Sequence, residues 1–270
     1  MNDLREYLAT AHELADLADA RTLAAFRGQL DVRTKRDGTW VTEVDESVER
    51  ELRARLRSRY PDHAVLGEED GLDGPPGAPR WVLDPIDGTT NFVRGNPIYA
   101  TLIGLQLDGH DVVGVASAPA LGTRFDGVLG GPAHQDGRQI TVSDTARLAD
   151  AEAALGDLRH FEQRGLLEGA VALATGAARQ RGYGDFWQHC LVAAGSTDVA
   201  AEATVSLWDL VAVKVIVEAA GGRFTDLSGR VTADGGSAVS TNGHLHEEVL
   251  ATLHGAHGTP PSTLAVPSPP

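Results

Sequence analysis

Two apolar runs that meet at an Asp-Gly pair constrain the fold of this chain more than any other feature. Residues 98–107, IYATLIGLQL, and 111–119, DVVGVASAP, are rich in branched side chains, and Asp108-Gly109 between them is a pair that tight hairpins select. With the shorter runs AVLG (64–67) and RWVLD (80–84) they predict an antiparallel meander. Before it, Leu4, Leu8, Ala11, Ala15, Ala18 and Phe26 recur at helical spacing, which predicts a long amphipathic helix to about Arg27. Thr42 can cap a second helix on which Val48, Leu52 and Leu56 form a stripe, and Pro61 marks its stop. After about Ser143 helices alternate with short strands, ending in SAVST, the Asn242-Gly243 turn and a last helix through HLHEEVLATL. The fold class that follows is α/β, an α+β sandwich of two halves, 1–143 and 144–256, without internal repeats. Residues 257–270 are rich in Pro and Ser and are expected to be a disordered tail.

Composition excludes several functions. A chain of 270 residues that is 42% hydrophobic can bury a sizeable core. Its 23 Lys and Arg against 38 Asp and Glu leave a charge of −15, with no long basic run to neutralise a nucleic-acid backbone. Cys190 stands alone and cannot form an intrachain disulfide. The first twenty residues lack the apolar core of a signal peptide, and no apolar run reaches the roughly 20 residues of a membrane span. A cytoplasmic protein with neither membrane nor nucleic-acid partners is expected.

The carboxylates carry the chemistry. WVLDPIDGTTNF (81–92) places Asp84 and Asp87 on one corner, where their charges repel. Glu68, Glu69 and Asp70 end the run VLGEED, and Asp209 falls in the first turn of the helix SLWDLVAVKVIVEAAGG. Alone, each has a bland reading: a solvated turn, a solvated loop, a dipole partner. Together they offer hard oxygen ligands from strand ends and helix starts, the donors magnesium takes, and a divalent cation makes two fixed like charges reasonable.

GEE, DPIDGTTNF and WDLVAVKVIVEAAGG resemble, in order, the three defining motifs of the inositol monophosphatase family of magnesium-dependent, lithium-sensitive phosphatases. The resemblance spans nearly the whole chain and implies a layered αβαβα fold and a homodimer. It implies that Glu68, Asp84 and the carbonyl of Ile86 hold a first magnesium, and that Asp84, Asp87 and Asp209 hold a second, with a third possible near Glu68. It further implies that Thr89 and Asp45, with Glu68, handle the attacking water. Gly88 lets backbone approach closely, so the amides of Gly88, Thr89 and Thr90 at the start of a short helix suit a phosphate. Asp209 is expected to face the substrate as well.

The segment RQRGYGDFWQHCLVAAGSTDVAAE (179–202) resembles the histidinol-phosphate phosphatase branch of that family. Asp185 reads either as a carboxylate facing the pocket, suited to the cationic part of histidinol phosphate, or as a helix N-cap. Glu202 matches a position that meets the leaving alcohol, and Arg181 and Arg94 are candidates at the pocket mouth. Lys35 either reaches the phosphate or is solvated. Cys190 reads as core, His189, His244 and His246 lack zinc spacing, and Trp81 and Trp208 are expected to pack beneath the site. The expected activity is magnesium-dependent hydrolysis of L-histidinol phosphate. The alternatives are an inositol or sugar phosphate phosphatase and a silent cation- or phosphate-binding module.

Overall fold

A computed structural model describes residues 2–35 and 38–255; the tail expected to be disordered lies outside the described residues. The first part runs α1 (Asn2–Ala25), β1 (Val32–Thr34), β2 (Trp40–Thr42), α2 (Glu43–Arg59), β3 (Ala64–Gly67), β4 (Gly71–Asp73), β5 (Arg80–Asp87) and α3 (Thr89–Val93). Strands β6 (Ala100–Leu107), β7 (His110–Ala118), β8 (Thr123–Val128), β9 (Ala133–Gln135) and β10 (Arg138–Ile140) follow. The second part runs β11 (Glu152–Leu155), α4 (Leu158–Gln163), α5 (Leu167–Gly176), β12 (Arg179–Arg181), α6 (Asp185–Ala193) and β13 (Val199–Glu202). It ends with α7 (Leu207–Ala219), β14 (Arg223–Thr225), β15 (Ala238–Thr241) and α8 (His246–Leu253).

Strands β3 to β10 form one sheet in the order β10-β9-β8-β7-β6-β5-β3-β4, and the second part forms a five-stranded sheet, β12-β11-β13-β15-β14. The meander is antiparallel from β5 to β10, as the Asp-Gly hairpin requires. The pairing of β3 with β5 departs from that expectation and is parallel. The crossover through β4 and the Pro- and Gly-rich stretch 74–79 brings the chain back in the same direction, which puts the end of β3, and Glu68 just past it, beside the end of β5.

Three buried clusters define five layers. Leu14, Leu52 and Leu56 of α1 and α2 pack on Trp81, Leu83, Ile103 and Val115 of the large sheet. Its other face presents Val82, Leu102, Ala116 and Phe125 to Phe186 and Cys190 of α6 and to Val211 and Ile216 of α7, with Phe224 and Ala238 of the small sheet closing that layer. The small sheet's outer face packs Ala153, Val199 and Val239 on Phe161, Leu173 and Val249 of α4, α5 and α8. The layering is αβαβα. Helix α7 buries every residue from Leu210 to Val217 because it lies between the two sheets, with Lys214 paired to Asp111 and Glu218. Its close seat needs glycines: a Cβ on Gly104 would lie 2.4 Å from Cγ1 of Val211, and one on Gly114 2.3 Å from the Ala212 carbonyl. Those contacts fix the N-terminal turn of α7, which carries Asp209.

Candidate active site

The corner at the end of β5 is built by a bulge. Asp84 pairs with Leu102 and Asp87 with Ala100, so the register shifts between them. In a regular strand, residues three apart point to opposite faces; the extra residue returns both carboxylates to one side. Local bonds hold the bulge: the Ile86 amide donates to Asp84 Oδ1 at 3.0 Å, and Thr101 Oγ1 donates to the Pro85 carbonyl at 2.8 Å. Asp209 meets the pair from α7. One carboxylate oxygen from each of Asp84, Asp87 and Asp209 lies within 4.8 Å of the others. Asp209 is oriented by a capping box, in which its carboxylate accepts the Ser206 amide at 2.8 Å.

Such a cluster cannot stay ionised alone. Burial and then the charge of Glu68 push Asp84 well above the usual carboxylate range, and burial and then Asp185 do the same to Asp87. Burial raises Asp209 to about 7. Three hard oxygen donors at this spacing, two of them on buried residues, fit a small divalent cation, which would replace protons as the neutralising charge.

Glu68 follows β3, and its amide donates to the Leu83 carbonyl at 3.2 Å. Its carboxylate faces Asp84 and is bound by Lys35, whose Nζ lies 2.6 Å from Glu68 Oε1 and 2.8 Å from Glu69 Oε1. Burial opposes the Lys35 charge, but these two bonds outweigh it and raise its pKa. Lys35 is therefore neither solvated nor free for a phosphate in this structure. Thr89 and Asp45 meet: Thr89 Oγ1 lies 3.3 Å from Asp45 Oδ1 and 3.0 Å from the Ile86 carbonyl. Asp45 is buried and serves as the third residue of the α2 capping box, accepting from the Thr42 amide at 2.9 Å. Burial raises it to about 6. Gly88, at φ 81°, precedes α3, so the first amides of that helix lack intrahelical acceptors, and Thr90 there is exposed.

Asp185 opens α6, but it is not the cap: that position belongs to Gly184, with no side-chain cap bond. The Asp185 carboxylate instead accepts from Asn91 Nδ2 at 3.0 Å, and a Cβ on Gly88 would lie 3.2 Å from it. The next amide, Phe186, donates to Asp87 Oδ2 at 2.7 Å, tying α6 to the corner. Glu202 ends β13, buried, bonded by Gln188 Nε2 and by the Asp185 amide. Burial and then Asp185 push Glu202 well above its usual range, and burial raises Asp185 to about 6.

Other candidates lie apart. Arg181 sits exposed on edge strand β12, its Nη1 donating to the neighbouring Gln180 carbonyl at 2.7 Å, and Arg94 is exposed after α3. Trp81 is fully buried beneath α1 and α2, its Nε1 bonded to His63 Nδ1 at 3.2 Å, and Trp208 packs on the layer between the sheets. Cys190 is core, while His189 bonds Ser240 and His246 bonds Thr225 and Thr241. The sequence reading missed Asn91 and Glu49: Asn91 reads as turn composition, and Glu49 as half of an ordinary i, i+4 pair with Arg53. No helix among the described residues is long and apolar enough to cross a membrane.

Comparison with known proteins identifies the family. The model of the inositol monophosphatase family matches residues 3–257. The chain is 44% identical over 264 residues to a histidinol-phosphatase of Streptomyces coelicolor, covering 94% of this chain and 99% of that one. It is 46% identical to a histidinol-phosphatase of Mycobacterium tuberculosis over 92% of this chain and 97% of the relative. The solved inositol monophosphatase from Anabaena superposes with a TM-score of 0.83 at 27% identity, covering 94% and 97% of the two chains.

Proposed function

Since the chain belongs to the inositol monophosphatase family, we propose that it is a magnesium-dependent phosphomonoesterase that hydrolyses L-histidinol phosphate to L-histidinol and phosphate. The observation that carries the substrate is the Asp185 carboxylate, half-buried beside Gly88 and Asp87 and free of any capping duty. A substrate whose alcohol bears a cation would favour the ionised forms of Asp185 and Glu202 together; a sugar phosphate brings no charge to offset either carboxylate.

Glu68, Asp84, Asp87, Asp209 and the Ile86 carbonyl would hold two or three magnesium ions. When bound, such ions supply positive charge to the transferring phosphoryl group and make water a nucleophile near neutral pH. The amides of Gly88, Thr89 and Thr90 receive the phosphate at the start of α3. Thr89, held between Asp45 and the Ile86 carbonyl, orients the attacking water, and Asp45, raised to about 6 by burial, accepts its proton at neutral pH with Glu68 alongside. Asp209 lines the substrate side of the cluster. The halves 1–143 and 144–256 act as one unit, since phosphate and alcohol are met from opposite sides of the same corner. A cytoplasmic homodimer accompanies this reading.

The test is phosphate release by purified protein with magnesium and with chelator, comparing histidinol phosphate with inositol 1-phosphate. Magnesium-dependent release that favours histidinol phosphate is expected. Equal or reversed preference overturns the substrate, and turnover indifferent to chelator overturns the metal.

A further inference from the structure

We propose that Glu49 and Arg53 form a buried positioning pair that fixes the turn bearing Glu68, and through it the affinity of the site for cations. The inference rests on the reading of Glu68 as a cation ligand.

The two side chains lie one turn apart on α2, 0% and 3% exposed, with Arg53 Nε 2.7 Å from Glu49 Oε1. A buried ion pair is weak support for stability, because desolvating two charges cancels most of their attraction. Its bonds show what else it does. Glu49 Oε2 accepts the Glu69 amide at 2.8 Å, and its Oε1 accepts the Asp70 amide at 3.0 Å. Arg53 Nη1 donates to the Val65 carbonyl at 3.2 Å, and its Nη2 donates to the Gly71 carbonyl. The pair thus grips β3 before the turn, β4 after it, and two successive amides within it. Glu68 itself is tied to β5 on the other side, through the Leu83 carbonyl.

Gly67 is a third, independent part of the device. Its φ is not positive, so backbone conformation does not demand glycine there. A Cβ on it would lie 2.2 Å from Glu49 Oε1 and 2.3 Å from Glu49 Cδ. The carboxylate tip of a Glu is normally free to move aside, but this one is held by Arg53 and two amides. Glycine at 67 is the vacancy that the carboxylate fills. None of these three residues is placed to touch substrate, so their role is positioning.

The experiment is calorimetric titration of magnesium into parent protein, Glu49→Gln and Gly67→Ala, alongside the magnesium dependence of phosphate release. Glu49→Gln removes the charge and one acceptor; Gly67→Ala leaves both charged residues in place and drives the carboxylate from its seat. Magnesium affinity is expected to fall about tenfold or more in each, the usual cost of losing a partner that orients a metal ligand, with KM at saturating magnesium unchanged. Should Glu49→Gln fail to fold, Gly67→Ala decides. Folded variants that bind magnesium as tightly as the parent overturn the inference. Loss of fold in both also overturns it, because the pair is then only a structural staple. A parent that binds no magnesium instead overturns the metal reading on which the inference rests.

Discussion

The Asp84–Asp87 corner and the Asp185 corner lie against each other and are built in opposite ways. The first is local: a bulge, the Ile86 amide on Asp84 and the Thr89 hydroxyl on the Ile86 carbonyl all fall within six residues. The second is assembled from a distance. Asp185 takes φ 51°, a left-handed conformation unfavourable for a residue with a Cβ, and its carboxylate is held by Asn91, 94 positions earlier in the chain. A locally bonded corner can keep one chemistry while a distant residue changes what is brought to it. On that division, damage to the first corner abolishes catalysis, and damage to the second redirects it.

Asp84→Asn is the largest expected effect. Asp84 feels the charges of Glu68, Asp87 and Asp209 together, so its loss should lower phosphate release at least about a thousandfold with every ester, as removal of a preorganised electrostatic contact does. Direct assay with histidinol phosphate and a neutral alkyl phosphate checks this; a variant with parental turnover would dissolve the comparison.

Asp185→Asn should act selectively. Loss of one partner of a buried charge pair predicts a fall of about a hundredfold in kcat/KM for histidinol phosphate, with the neutral ester little affected. Equal losses on both substrates would make Asp185 part of the general machinery. Asn91→Ala sharpens the point with a smaller change. It frees the Asp185 carboxylate without removing it, and forfeiting one hydrogen bond to a charged group predicts about a tenfold loss, again confined to the cationic substrate.

Legibility in the sequence followed the same division. Asp84, Asp87, Gly88 and Thr89 could be read because turn chemistry, strand apolarity and cation donors coincide in twelve residues. The hairpin at Asp108-Gly109, the Thr42 cap and the stripe on α2 were equally plain, since each rests on neighbours in the chain. The parallel pairing of β3 with β5 was not, because the direction of a strand depends on a crossover that periodicity does not record. Strands β9 and β10 are too short to show a period. Lys35 could not be placed, for its partners Glu68 and Glu69 lie more than thirty positions away. Asn91 was hidden in plain view, inside a motif whose other residues already had a use.

The smallest effect is in stability, and its dependence on cations separates the two corners. Without cations, the carboxylates Asp45 and Asp185 sit at about 6 and Asp209 at about 7, above their unfolded values. A raised acid contributes stability that is complete below its unfolded pKa and lost as pH climbs through the folded one, so these groups weaken the cation-free protein between about pH 4 and 7. His189 and His246 run the other way: burial depresses both to about 4, so their contribution is complete above 6.5 and lost as pH falls. The histidines lie away from the cluster and act alike with and without magnesium, so they cancel in a difference measurement. Thermal melts in magnesium and in chelator should therefore diverge as pH rises from about 5 to 7.5, magnesium taking over the neutralisation that protons provide at low pH. Asp185→Asn should leave most of that divergence intact, whereas Asp84→Asn should erase it. If the two variants change it equally, the corners share one electrostatic site and the division between them fails.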